Sequence, residues 1–248
     1  MRGGRSRPQS RLMQWSGEGL IIGVRRHGES SVIAEVMVEG RGRTLGLVRG
    51  GRSSKLAATL QPGNLVQLTW RARLEEHLGT MTVELIEARA AELIADRTRL
   101  YASQLLCDHV RLLPERDPHD RLLGMAVHAL DPGRDAVSIG AALVSFELTL
   151  LEELGFGLDL TSCALTGSTE DLTHVSPKSG RAVTSAAAAP YLPRLLALPA
   201  FLVDGGAASA ADVANGFRLT GHFLDLHVWT PRAILPPATR DAVVTLFT

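Results

Sequence analysis

The sequence predicts an α+β protein in which a small five-stranded barrel precedes an all-helical half. Three observations carry that expectation. Apolar and polar residues alternate in five short segments before residue 90, and the apolar spacing lengthens to three and four residues after it. The charge changes sign at the same place. Residues 1–90 hold 14 Lys+Arg against 8 Asp+Glu, a net of +6, which leaves 12 Lys+Arg against 18 Asp+Glu, a net of −6, for residues 91–248. The formal net charge of zero therefore conceals a basic module suited to a polyanion and an acidic module with another task.

Residues 1–12 are Gly, Arg, Ser and Pro with little apolar content and read as a disordered arm, with Met13 a candidate for the true start. Strand signals follow. Leu20, Ile22 and Val24 alternate, then Val32, Ala34, Val36 and Val38 do so after the polar turn His27-Gly28-Glu29-Ser30. Leu45 and Leu47 follow a turn at Arg41-Gly42-Arg43, and the sets Val66, Leu68, Trp70 and Met81, Val83, Leu85 complete the series. Short strands at this spacing fit a small closed barrel, of which the OB-fold is the commonest, so residues 13–90 are expected to be an OB-fold barrel domain. Residues 91–248 are expected to be a helical domain. Leu93, Ile94, Tyr101, Leu105 and Leu112 fall on helical spacing between Ala91 and Leu113. A helix from Ser138 to Leu154 carries Leu143, Phe146, Leu150 and Leu154 on one side, with Gly155 where a left-handed cap belongs. Another starts at Ser209, with Asp212 closing a capping box, and runs through Val213, Phe217, Leu224 and Leu226 toward Trp229 and Pro231. Residues 157–190 lack periodicity and read as an irregular insert.

Several functions are excluded by what the chain does not contain. No apolar run approaches the ~20 residues that span a bilayer, and the basic N-terminus has no apolar signal core, so a cytoplasmic protein is expected. There is no GxxxxGK[ST], GxGxxG, HExxH or GxSxG motif. Glu152 and Glu153 occupy adjacent helical positions that face different ways, and His222 and His227 are too far round a helix to share a metal. Cys107 and Cys163 have no CxxC partner and read as buried thiols. An enzyme is not expected.

Positive charge does accumulate in the strand half. Arg25 and Arg26 end the first strand, Arg41 and Arg43 flank a turn, Arg49, Arg52 and Lys55 punctuate the run RGGRSSK, and Arg71 and Arg73 close the fourth strand. These nine residues are candidate nucleic-acid-binding positions. They fall near turns, most are arginines suited to bidentate phosphate contact, and Gly50-Gly51 would let backbone amides approach a phosphate. Trp15 and Trp70 are the only aromatic residues in this half, which favours backbone-dominated, sequence-indifferent binding.

The segments WSGEGLIIGVRRHGESSVIAEV, VEGRGRTLGLVRGGRS and LQPGNLVQLTWRARLEEHLGT resemble the N-terminal barrel of the RecO family of DNA repair proteins. Downstream, FELTLLEELGFGLDLTSC, VSPKSGRAV and GHFLDLHVW resemble its C-terminal half. The resemblance implies an OB-fold followed by a helical domain, and binding of single- and double-stranded DNA with annealing of complementary strands. It also implies association with RecR, contact with the tail of single-strand binding protein, and loading of RecA. That tail is acidic with an apolar end, which makes Arg111, Arg116 and Arg121 of the later half candidate partner contacts. Many family members hold zinc with four cysteines in the insert. Here Cys163 matches the first ligand while the others fall at Thr166, Thr184 and Ala187, so the insert is a degenerate zinc-finger region and neither metal nor cofactor is expected. The competing reading is an OB-fold RNA-binding or ribosome-associated factor.

Overall fold

The computed structural model describes residues 13–74 and 76–248; the arm expected at residues 1–12 lies outside them. Strands β1 (Met13–His27), β2 (Ser31–Val38), β3 (Gly42–Val48), β4 (Leu65–Ala72) and β5 (Thr80–Glu87) close a barrel in the order β1-β2-β3-β5-β4, with helix α1 (Ser54–Thr59) between β3 and β4. This order and this helix position are those of the OB-fold. Strand β1 is long enough to serve two neighbours. Its first half pairs with β4, placing Trp15 opposite Trp70, and its second half pairs with β2, placing Arg25 opposite Ile33. The parallel pairing of β3 with β5, Leu47 with Thr80, completes the closure.

The barrel interior is filled by Ile21, Val32, Ala34, Val36, Val38, Val48, Val66, Leu68, Trp70, Met81 and Val83. Three strands differ from the alternation expected, β5 in that Leu85 is 45% exposed. In β1 a register shift between Ile21 and Gly23 turns Ile21 into the core and leaves Val24 40% exposed. In β3 the buried positions are Gly42, Thr44, Gly46 and Val48, while Leu45 and Leu47 are half-buried. Bulk opposite β3 explains this. A Cβ at Gly46 would lie 2.8 Å from Met81 Cβ and 3.4 Å from Trp70 Cδ1, so the space that a third large side chain would fill is already taken.

Beyond the barrel come α2 (Ala90–Ala95), α3 (Arg97–Val110), α4 (Asp120–Ala129) and α5 (Ala136–Glu153). The helical spacing expected between Ala91 and Leu113 belongs to two helices, because Asp96 accepts a hydrogen bond from Arg99 N–H at 2.8 Å and starts α3 afresh. Asp135 caps α5 in the same way through Ser138 N–H at 2.7 Å. At its other end Gly155 adopts φ 86°, and the amides of Gly155 and Phe156 bond back to Glu152 and Leu151, as a left-handed cap requires.

The stretch expected to be an irregular insert has regular structure. It contains β6 (Leu172–Val175), β7 (Ala182–Thr184) and α6 (Ser185–Ala188); a 3-10 turn from Ala189 and β8 (Leu196–Ala197), beyond the expected bounds, follow, and the three strands form a sheet in the order β7-β6-β8. Strands of two to four residues are too short to show a period. Cys163, 1% exposed, accepts the Thr184 amide at 3.4 Å and lies 3.7 Å from the Thr184 hydroxyl. Burial pushes this thiol up, but hydrogen bonds from the Thr166 side chain and from the amides of Thr184, Leu165 and Thr166 outweigh it and bring it down to about 6. A sulfur satisfied by hydroxyls and amides, where a metal site would need three more thiolates, does not fit a tetrahedral zinc.

The chain continues through α7 (Phe201–Asp204), α8 (Ala210–Leu224), α9 (Thr230–Arg232) and α10 (Ala238–Val244). Ser209 and Asp212 form the expected capping box at the start of α8. Its end departs from expectation. A π-helical turn over Asp225–Trp229 shifts the register, so Val228 and Trp229 are buried and Leu226 is left 46% exposed. Inside this half sits a polar network around Glu147, whose carboxylate is wholly buried. It accepts from His109 Nε2 at 2.8 Å, from Arg240 at 2.8 and 3.0 Å, and from the Thr220 hydroxyl. Burial pushes the acid up, but the Arg240 guanidinium and His109 overcome that and hold it at about 2.

Two units result. One contains the described residues up to Ala90 together with Glu115–Pro118, and the other contains Ala91–Pro114 and His119–Thr248. The four-residue segment joins the barrel through Arg116 N–H, which donates to Arg43 O at 2.9 Å, and passes so near Gly42 that a Cβ there would lie 1.8 Å from Asp117 O.

Candidate nucleic-acid interface

Barrel topology gathers four of the nine candidate residues, all arginines, around the β1–β2 turn. Arg25 and Arg26 stand opposite Ile33 and Val32 at the end of β1, and Arg49 follows Val48, itself paired with Val32. Arg52 reaches the same turn, its amide donating to Ser30 O at 3.1 Å and its guanidinium to Glu29 O. All four side chains are exposed. Arg26 and Arg52 border a groove of about 480 Å³ that is also lined by Val24, Val32, Leu60 and Gln61 among others. Lys55 is exposed too, on the first turn of α1 and not in a turn as expected.

The glycine pair in RGGRSSK has a role other than the one expected. The Gly51 amide is directed at Val48 O within the turn, and Gly51 is buried with a prospective Cβ only 2.4 Å from Val32 Cγ2. Gly51 is therefore a packing residue. Gly50 adopts φ 66°, which turns the chain out of β3.

A second basic group lies by β1's first half. The Arg41 guanidinium stacks 4.4 Å above the Trp15 ring, and Trp15 in turn stacks on Trp70 with centroids 5.7 Å apart. Arg71 Nε donates to Gln14 Oε1 at 2.8 Å, and Arg73 is exposed beyond it. Arg43 does not belong with these. Its side chain, 15% exposed, is engaged by Glu35 at 2.7 Å and Glu115 at 3.7 Å, so its charge is spent on carboxylates.

Arg116, expected as a partner contact of the helical half, belongs to the barrel unit. Its guanidinium lies 5.7 Å from the Trp70 ring and donates to His77 O at 2.8 Å, with the backbone held at φ 63°. The prolines on either side, Pro114 and Pro118, announce an irregular connection, but nothing in the sequence says where it docks. The other two candidates stay in the helical unit. Arg111 pairs with Asp108 on its own helix at 3.0 Å. Arg121 pairs with Glu152 at 2.7 Å, both side chains 60% exposed, on the wall of a groove of about 530 Å³ that also presents Met125, Leu148, Leu158, Phe201 and Leu202.

Comparison with known proteins agrees with this architecture. The family described as Recombination protein O N terminal matches residues 13–89, and that described as Recombination protein O C terminal matches residues 94–233. The DNA repair protein RecO of Methylobacterium nodulans is 52% identical over 242 residues, covering 95% of this chain and 98% of that protein. That of Mesorhizobium japonicum is 53% identical over 234 residues, covering 92% and 91%, and that of Brucella abortus 50% identical over 231 residues, covering 92% and 94%. With both halves matched in order and relatives at this identity along nearly the whole length, the chain belongs to the RecO family.

Proposed function

We propose that this chain is a non-enzymatic recombination mediator of DNA repair, acting in the cytoplasm. It binds single- and double-stranded DNA through the barrel, anneals complementary strands, and with RecR helps load RecA on strands coated by single-strand binding protein. The observation that carries the DNA reading is the convergence of exposed Arg25, Arg26, Arg49 and Arg52 on one turn of an OB barrel. Phosphate attraction needs such unpaired cations and no particular base. The helical unit takes the protein partners. Arg121 is the favoured contact for the acidic, apolar-ended tail, because its exposed pair with Glu152 is worth little in water and can be exchanged for a carboxylate of the tail beside the apolar groove. Annealing of complementary oligonucleotides coated with single-strand binding protein tests the reading. Faster annealing with the protein than without it is expected; an unchanged rate, with no DNA retained, refutes it.

A further inference from the structure

The Arg41–Trp15–Trp70–Arg116 stack encloses a notch of about 160 Å³ lined by Trp15, Gly40, Arg41, Thr44, Trp70 and Arg116. All but one of its principal walls are held in place, Arg41 being the exception. Trp70 is 1% exposed and its indole N–H donates to Leu78 O at 3.0 Å, which fixes the ring plane. Thr44, 2% exposed, donates its hydroxyl to Gly42 O at 3.4 Å. Arg116 is brought in by a segment from outside the barrel sequence, at a left-handed φ that a non-glycine residue adopts at a cost. Arg41 has indole contact but no ion pair among the described residues, in contrast to Arg43 two positions on. The notch is far smaller than the ~300–1,000 Å³ of sites for drug-sized ligands. Its walls are planar, π-rich and cationic, which are the surfaces that stack on nucleobases and guanidinium-friendly rings.

We infer that this notch receives one unpaired nucleobase of a single strand, stacked on Trp15, while Arg41 leaves the indole face for the neighbouring phosphate. The inference rests on the proposed DNA binding and adds a contact to bases, which a double strand keeps inside its own stack. Binding is then biased toward single strands without reading sequence, since every base presents a π face.

The test compares two probes with the full-length protein at one salt concentration: a thymidine homo-oligonucleotide of about 16 nucleotides, the upper span of one OB barrel, and an abasic oligomer of equal length. The phosphates are the same and only the bases differ. The thymidine probe is expected to bind about 5- to 150-fold more tightly, the equivalent of the ~1–3 kcal/mol of one stacked base, and to quench tryptophan emission where the abasic probe does not. Trp15→Ala should bring the thymidine probe down to the abasic level. Trp15→Phe, which keeps a ring on Trp70, should restore part of the difference and serves if the alanine variant does not fold. Equal affinity of the wild-type protein for the two probes, without quenching, overturns the notch and leaves the phosphate-based reading standing. Failure to bind either probe overturns both.

Discussion

Single side chains divide the basic residues of the barrel into those free to meet phosphate and those already neutralised. Replacing Arg49, Arg52 and Lys55 together with Ala should make the slope of log affinity against log salt shallower by about 2 on single strands, at ~0.7 per lost phosphate contact. Anisotropy titrations between low and moderate salt measure it. Arg43→Ala should leave that slope unchanged, because Glu35 and Glu115 already occupy its guanidinium. The sequence marks all four as basic residues near a turn and cannot show which one has acquired carboxylate partners in the fold. The glycines separate similarly. Gly51→Ala forces a Cβ against Val32 and should cost ~1–3 kcal/mol of stability as overpacking does. Gly50→Ala meets no neighbour, and its cost should be the ~1–2 kcal/mol of left-handed backbone alone. Urea unfolding of the two variants reads both numbers, and DNA affinity per folded molecule should not change.

At the scale of elements, legibility followed length. Strands β2 and β4 were readable in full because eight residues give the alternation time to show, and α5 and α8 because their caps are written in the sequence, Asp212 and Gly155 among them. Removing the hydroxyl that starts α8, Ser209→Ala, should lower stability by ~0.5–2 kcal/mol and depress the melting temperature accordingly. What the sequence hid were the brief elements and the departures from period. Helix α4 has mixed apolar positions, the strands of the insert have two to four residues, and the π-helical turn after α8 rotates Leu226 outward against the pattern that precedes it. The insert is also where chemistry decides a composition question. With Thr184 hydrogen-bonded to Cys163 in place of a second thiolate, protein purified without added metal should show far less than one zinc per chain by elemental analysis. A stoichiometric ion would require ligands other than those four positions.

Across the whole molecule, stability should depend on acid through Glu147. Its folded value near 2 lies below the ordinary 4.5, so the folded state holds this proton less tightly than the unfolded chain. The contribution is complete above about 4.5 and is lost as pH falls through about 2. Urea midpoints should decline across that window, and Glu147→Gln should flatten the decline. Arg240→Met, which strands a buried carboxylate, should cost ~3–5 kcal/mol at neutral pH. A different consequence follows from the four residues that return from the helical stretch to the barrel. Synthesis delivers β5 by Glu87, yet the amide that bonds Arg43 and the peptide that passes over Gly42 arrive only with residues 115–118, after α2 and α3 have been made. A nascent chain halted at residue 90 would own every strand of the barrel and still lack Arg116 behind Trp70. The barrel is therefore finished out of order, and its last piece is threaded through the sequence of its neighbour.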